Sequence, residues 1–181
     1  MKNWRNPDKL KLVLLVAALG HGEIVDRIAV VVDRTPVKQS DIFREIRLTA
    51  LINGEQPDFS LAQQRQAASR LIDQAILRNE IGMGTYPEPD PTQIEQLFQQ
   101  IRGRYRTEAA FHQSLMNYGL TQEDLMDHLR WEQIVLQFIA LRFGNGVETS
   151  SVQPDVNQQF FKWLDETRSR SRVLFRDENL K

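Results

Sequence analysis

The stretch IVDRIAVVVDRTPVKQSDI, residues 24 to 42, sets the strongest constraint on what this chain can fold into. It reads as a β-hairpin at the head of a chain that otherwise reads as helix. Val25, Arg27, Ala29 and Val31 alternate with Asp26, Ile28, Val30 and Val32, and the β-branched enrichment marks a strand buried on one face and largely on the other. Asp33-Arg34-Thr35 makes the turn. Pro36 has no N–H to give to a ladder, which confines the returning strand, residues 37–39, to a short edge piece. A two-stranded ribbon alone is marginal in water, because nothing covers its apolar face. Something else must complete it. Arg172-Val173-Leu174-Phe175-Arg176 alternates at period two after a helical segment, so it can return as a third strand and lock the two ends of the chain together.

Between these ends the pattern is helical. Ser40 is placed to cap a first helix running to about Ile52, with Ile42, Phe43, Ile46 and Ala50 on one side and Asn53-Gly54 as its stop. Ser60-Leu61-Ala62-Gln63 fits a capping box, and the helix behind it continues to about Gly82. Its Ala68, Leu71, Ile72, Ala75 and Ile76 fall at i, i+3, i+4, i+7, i+8, the spacing of a helix lying on a core. Asp90-Pro91 opens a third helix carrying Ile94, Leu97, Phe98 and Ile101. Thr107 opens a short fourth, with Phe111, Leu115 and Met116 inward and Gly119 at its end. Thr121 opens the longest, which turns apolar on nearly all sides through IVLQFIALRF and so belongs in the middle of a bundle. Residues 144–154, GNGVETSSVQP, form a linker to a closing segment, 155–177, in which Val156, Phe160, Trp163 and Leu164 keep helical spacing before the terminal strand. The expected fold is mainly α: a helical bundle with a small sheet made from the hairpin and the returning strand.

Length and charge narrow the function classes. A chain of 181 residues that is 41% hydrophobic holds one ordinary core. The 23 basic and 24 acidic residues are interspersed, which leaves no overall basic footprint for a phosphate backbone, so nucleic acid is not expected as a partner. Cysteine is absent, which excludes disulfides, thiolate metal sites and cysteine nucleophiles. Lys2, Arg5, Lys9 and Lys11 followed by LVLLVAAL make a secretory signal pattern, too short in its apolar run to span a bilayer. Residues 1–22 are therefore expected to be a cleaved signal peptide, and 23–181 a single periplasmic domain with no stable membrane insertion.

Catalytic patterns are sparse. His112 and His128 lie on separate helices without an HExxH motif or a dense carboxylate cluster, so no metal is expected. Asp124 and His128, four residues apart, read as a helix-surface pair. Gly82-Met83-Gly84 and Gly144-Asn145-Gly146 lack the helix start and lysine of a phosphate loop, and no nucleophile elbow or paired-acid spacing stands out. No cofactor and no catalytic residues are expected. Met83, Tyr105, Met116, Tyr118, Met126 and Trp131 fall around the loops and starts of the middle helices. Flexible thioethers with aromatics suit a peptide groove that must accept many sequences; each of these residues alone fits an ordinary core better, and it is the group together that points to a groove.

Taken in order, IVDRIAVVVDRTPVKQSDI, RLIDQAILRNEIGMG, FHQSLMNYGLTQEDLMDHLRWEQIVLQFI and WLDETRSRSRVLF give the chain a resemblance to the SurA-type periplasmic chaperones over nearly all of the mature sequence. In that family an N-terminal helical domain is completed by a closing C-terminal helix, and parvulin-type prolyl isomerase domains sit between them. Here GNGVETSSVQ occupies their place. The resemblance thus implies an ATP-independent holdase for unfolded exported proteins, outer-membrane β-barrel precursors in particular, without isomerase activity. The alternative is a non-catalytic scaffold of an envelope assembly with one fixed partner. A homodimer exchanging terminal segments stays open at this point.

Overall fold

The computed structural model describes residues 26–84, 86–144 and 154–181. The expected signal peptide, the first residue of the expected first strand and most of the expected linker lie outside the described residues. Two strands, β1 (Ile28–Val32) and β2 (Thr35–Lys38), lead into α1 (Gln39–Asn53), α2 (Leu61–Gly82), α3 (Pro91–Arg102), α4 (Glu108–Tyr118) and α5 (Gln122–Phe143). After the linker come α6 (Pro154–Arg170), β3 (Val173–Phe175) and a 3-10 turn, Glu178–Leu180. The fold is mainly helical with a small antiparallel sheet, as the sequence pattern predicts.

The sheet order is β2-β1-β3, so the hairpin's first strand is central and Pro36 sits on an edge where its missing donor costs nothing. Asp33 turns the hairpin at φ 54, a left-handed conformation that Asp tolerates better than most residues. It also ties the turn to β3: its N–H donates to the Arg172 carbonyl at 2.8 Å, and its carboxylate accepts from the Arg172 N–H at 2.9 Å. At the other end of β3, the N–H groups of Arg176 and Asp177 both donate to the Ala29 carbonyl, at 2.8 and 3.0 Å. The third strand that the hairpin required is therefore the returning one.

Among the described residues, three apolar clusters form the core. The first joins the inner sheet face, Val30, Val32 and Val37, to α1 and α2 through Ile42, Ile46, Ala68, Ile72 and Ile76, and Leu180 closes it. The second packs the end of α1 against α3, α4 and the start of α5 around Phe98, Phe111 and Leu125. The third packs the end of α2, the second half of α5 and α6 around Leu77, Phe138, Ile139 and Phe160. Gly54 and Gly119 end α1 and α4 at φ 72 and 64, where a side chain would be strained.

Several expectations change in detail. The returning strand runs Thr35–Lys38 and feeds straight into α1, since the Gln39 N–H still donates to the Arg27 carbonyl at 2.8 Å. Ser40 is therefore inside the helix. Its hydroxyl donates to Asp26, and Asp41 serves the helix start by accepting from the Lys38 N–H at 2.9 Å. The Ser60 hydroxyl does accept from the Gln63 N–H, but the return arm comes from Asp58, which accepts the Ser60 N–H at 2.8 Å. Met116 is 72% exposed rather than inward. Helix α5 equals α2 at 22 residues and is not enclosed on all sides: Leu136 and Leu141 are 45% and 57% exposed.

Candidate functional site

The open side of α5 borders a groove. Its larger chamber, about 510 Å³, has apolar walls from α2 (Leu77), α5 (Trp131, Val135, Leu136) and α6 (Phe160, Leu164). A second chamber of about 280 Å³ continues toward the hairpin between β2, α1, α2 and α5. Both chambers share Glu45, Gln74, His128 and Trp131, which form the neck between them.

Each wall has a local cause. The α2 wall follows from its apolar spacing, which commits Ala75 and Ile76 to the sheet-side cluster and leaves Leu77 to the third. Helix α6 is held against α2 by Arg168, whose guanidinium donates to Asp73 at 2.7 Å and to Ser69 at 3.0 Å. Burial pushes the Asp73 carboxyl above its usual range, although Arg168 opposes this. Beyond the groove, Phe138, Phe143, Phe160 and Trp163 stack in edge and tilted pairs at centroid distances of 5.4 to 6.1 Å, which fixes the angle between α5 and α6.

The neck is polar and satisfied. Glu45, 6% exposed, accepts from the Arg70 Nε at 2.8 Å, so its carboxylate is not left uncompensated in the core. Arg78 lies over the Trp131 ring at 4.2 Å. His128 pairs with Glu132 at 3.2 Å, not with Asp124, which is engaged instead in the capping box with Thr121 at the start of α5. Burial disfavours the charged imidazole. The hydrogen bond and charge of Glu132, with Glu45 behind it, outweigh burial and the repulsion from Arg70, and hold the His128 pKa above its ordinary value.

The six residues expected to line a peptide groove do not come together. Trp131 stands at the neck of the groove. Tyr105, Tyr118 and Met126 pack half-buried against the second core cluster, where the Tyr105 hydroxyl accepts from Ser114 at 3.1 Å and the Tyr118 hydroxyl donates to the Glu55 carbonyl at 2.6 Å. Met83 and Met116 are exposed singly, at 77% and 72%. Leu77, Val135, Leu136, Phe160 and Leu164 were not anticipated as lining residues. For Val135 and Leu136 the signal was present in the IVLQFIALRF run of α5, which has too many apolar positions for one buried face.

Chemically, the arrangement offers an open cleft with apolar walls over a floor of ion-paired groups. It suits burial of side chains of varied shape, whose gross gain is about 25 cal/mol per Å² of apolar surface removed from water. Among the described residues no cluster of three or more His, Asp or Glu could hold a metal, and no helix is long and apolar enough to cross a membrane. Compared with known proteins, the chain matches no protein-family model and no curated sequence.

Proposed function

We propose that this protein is a SurA-type periplasmic holdase that binds unfolded exported polypeptides, outer-membrane β-barrel precursors among them, without nucleotide and without prolyl isomerase chemistry. The observation that carries the reading is the open apolar groove between α2, α5 and α6, with Val135 and Leu136 at its mouth and Phe160 and Leu164 on the facing wall. Exposed apolar surface in a concave setting marks an interaction site more often than a structural accident. The order of elements in the sequence supports the family, and the secretory pattern of residues 1–22 supports the compartment. Weak contacts spread over a wide groove release a client without an energy cycle, because only the surplus over lost chain freedom appears as affinity.

The test is dilution of a urea-unfolded outer-membrane β-barrel protein into buffer with and without residues 23–181, with no nucleotide, followed by light scattering. Suppression of scattering near stoichiometric ratios is expected. Unchanged scattering, together with one fixed partner recovered from the envelope, would replace the holdase by a scaffold. Prolyl isomerisation by the pure protein would overturn the non-catalytic part of the reading.

A further inference from the structure

The two edges of the sheet are not equivalent. In the ladder between β1 and β3 the Asp33 N–H donates to the Arg172 carbonyl and the Arg176 N–H to the Ala29 carbonyl, both at 2.8 Å, so Arg172, Leu174 and Arg176 hold the positions that bond to β1. Val173 and Phe175 alternate with them, and their N–H and C=O groups point away from β1, out of the edge of the sheet. Among the described residues none of these groups meets a hydrogen-bond partner. The outer edge of β2 is closed by contrast. Its outward positions are Pro36, which has no N–H, and Lys38, whose N–H is taken by the Asp41 carboxylate at 2.9 Å. Val173 and Phe175 are half-buried against the sheet-side cluster, so a further strand laid beside them would complete the burial of both.

We propose that the free edge of β3 takes an extended segment of a client polypeptide as a fourth strand, bonded through the N–H and C=O groups of Val173 and Phe175. Donors and acceptors that recur every second residue, about 7 Å apart, are complementary to the backbone of an extended peptide whatever its side chains. That the occupant is a client rests on the holdase reading; that it is a strand does not. A second copy fits less well. An edge of three residues by itself buries far less than the roughly 1,200–2,000 Å² of a stable interface. Self-pairing in the register that uses all the free groups would also bring Arg172 of each copy opposite Arg176 of the other, like charges across one ladder. The edge adjoins the groove through α6. Leu164 lines the larger chamber and packs against the same cluster as Val173 and Phe175, and the last turns of the helix, from Leu164 to Arg170, add about 9 Å before the chain turns into β3. A client held by its side chains in the groove and by its backbone at β3 binds more tightly than through either contact, because the second contact forms within one complex.

The experiment is amide hydrogen exchange by NMR on the full chain, with and without a synthetic peptide of alternating Val and Thr ended by Glu. In the free protein the Val173 and Phe175 amides should exchange fast and the Leu174 amide, bonded to β1, slowly. Saturating peptide should slow the first two by at least about tenfold, since exchange then waits for the peptide to leave. Val173→Pro keeps the ladder to β1 and removes one outward donor, so peptide affinity read from the protection of Phe175 should fall about fivefold or more. The exchange measurement on the wild type needs no variant and decides the matter should Val173→Pro fail to fold. Unchanged exchange at Val173 and Phe175 with saturating peptide, or equal affinity of Val173→Pro, overturns the proposal. Slow exchange at these amides without peptide also overturns it: if it grows with protein concentration the edge belongs to a second copy, and if it does not the edge belongs to another segment of the chain. Failure of the holdase reading is distinguishable, for client scattering is then unsuppressed while the peptide still protects the two amides, which removes the client and keeps the strand.

Discussion

Replacing Leu180 by alanine should destabilise the whole protein, although the residue sits in a three-residue 3-10 turn that would ordinarily be counted as tail. Leu180 is 5% exposed and packs in the same cluster as Val30, Val32, Ile72 and Ile76. Its turn is held from two sides: the Asp177 N–H donates to Ala29 at 3.0 Å, and the Arg65 Nε donates to the Asn179 carbonyl at 2.7 Å. Leucine-to-alanine changes at buried sites cost about 2–5 kcal/mol, the spread reflecting how far the site collapses. We expect about 3 kcal/mol here, because the turn can settle toward α2. There is also a ceiling. If the segment after Phe175 can detach by itself, the cost cannot exceed the free energy of docking that segment. For a chain of this size 3 kcal/mol corresponds to about 6–12 °C in Tm. The assay is urea unfolding followed by far-UV circular dichroism, with Leu141→Ala, whose side chain is 57% exposed, as the reference. A fall in midpoint with unchanged slope, and little change for Leu141→Ala, is the expected result. A Leu180→Ala midpoint within about 0.5 kcal/mol of wild type would refute the claim that this turn closes the core and would leave β3 held by its ladder alone.

Two further outcomes follow from the groove. The folded-state pKa of His128 lies above its ordinary value, so the stability it contributes is fully present below about pH 6.5 and is lost as pH rises through the folded pKa. Urea midpoints measured across that window should fall with rising pH more steeply for wild type than for His128→Asn, and equal slopes would show that the Glu132 pairing carries no such weight. Leu136→Asp places a charge at the mouth of the groove on a side chain that is 45% exposed. It should leave Tm within about 2 °C while sharply reducing suppression of client scattering, since surface changes of this kind lie within about 0.5 kcal/mol; undiminished suppression would move the client site away from α5.

The backbone layout was legible in the sequence because its signals are local or strictly periodic. The caps at Ser60, Asp90, Thr107 and Thr121 each accept a backbone N–H of the helix they open. Gly54 and Gly119 stop their helices as glycine permits. The demand of the hairpin for a partner is a physical requirement, and the period-two run at Val173–Phe175 answered it. What was not legible depends on tertiary competition. Ser40 is a good cap by type, but the ladder hydrogen bond at Gln39 starts the helix before it. His128 has carboxylates at both i−4 and i+4, and only the cap at Thr121 decides that Asp124 is already engaged. The six expected groove residues were chosen by side-chain type, and type does not say which face of a helix another helix covers. In α5 the apolar run exceeds what α2 and α6 can bury, and that excess, rather than the methionines, borders the groove.

The order of the sheet also shapes how the protein is made. Asp33 and Arg172, joined by reciprocal hydrogen bonds, stand 139 positions apart. Closing a loop of that length costs on the order of 4 kcal/mol in chain entropy, which nothing returns until β3 and Leu180 have docked. At synthesis rates of about 5–20 residues per second, roughly 7 to 28 seconds separate the emergence of β1 from that of its second neighbour. Throughout that interval β1 presents Val30, Val31 and Val32 as an open edge to any other strand nearby, including the same strand of another nascent copy. On the way to its folded form the protein must therefore pass through a stage in which its own central strand stands open to wrong partners.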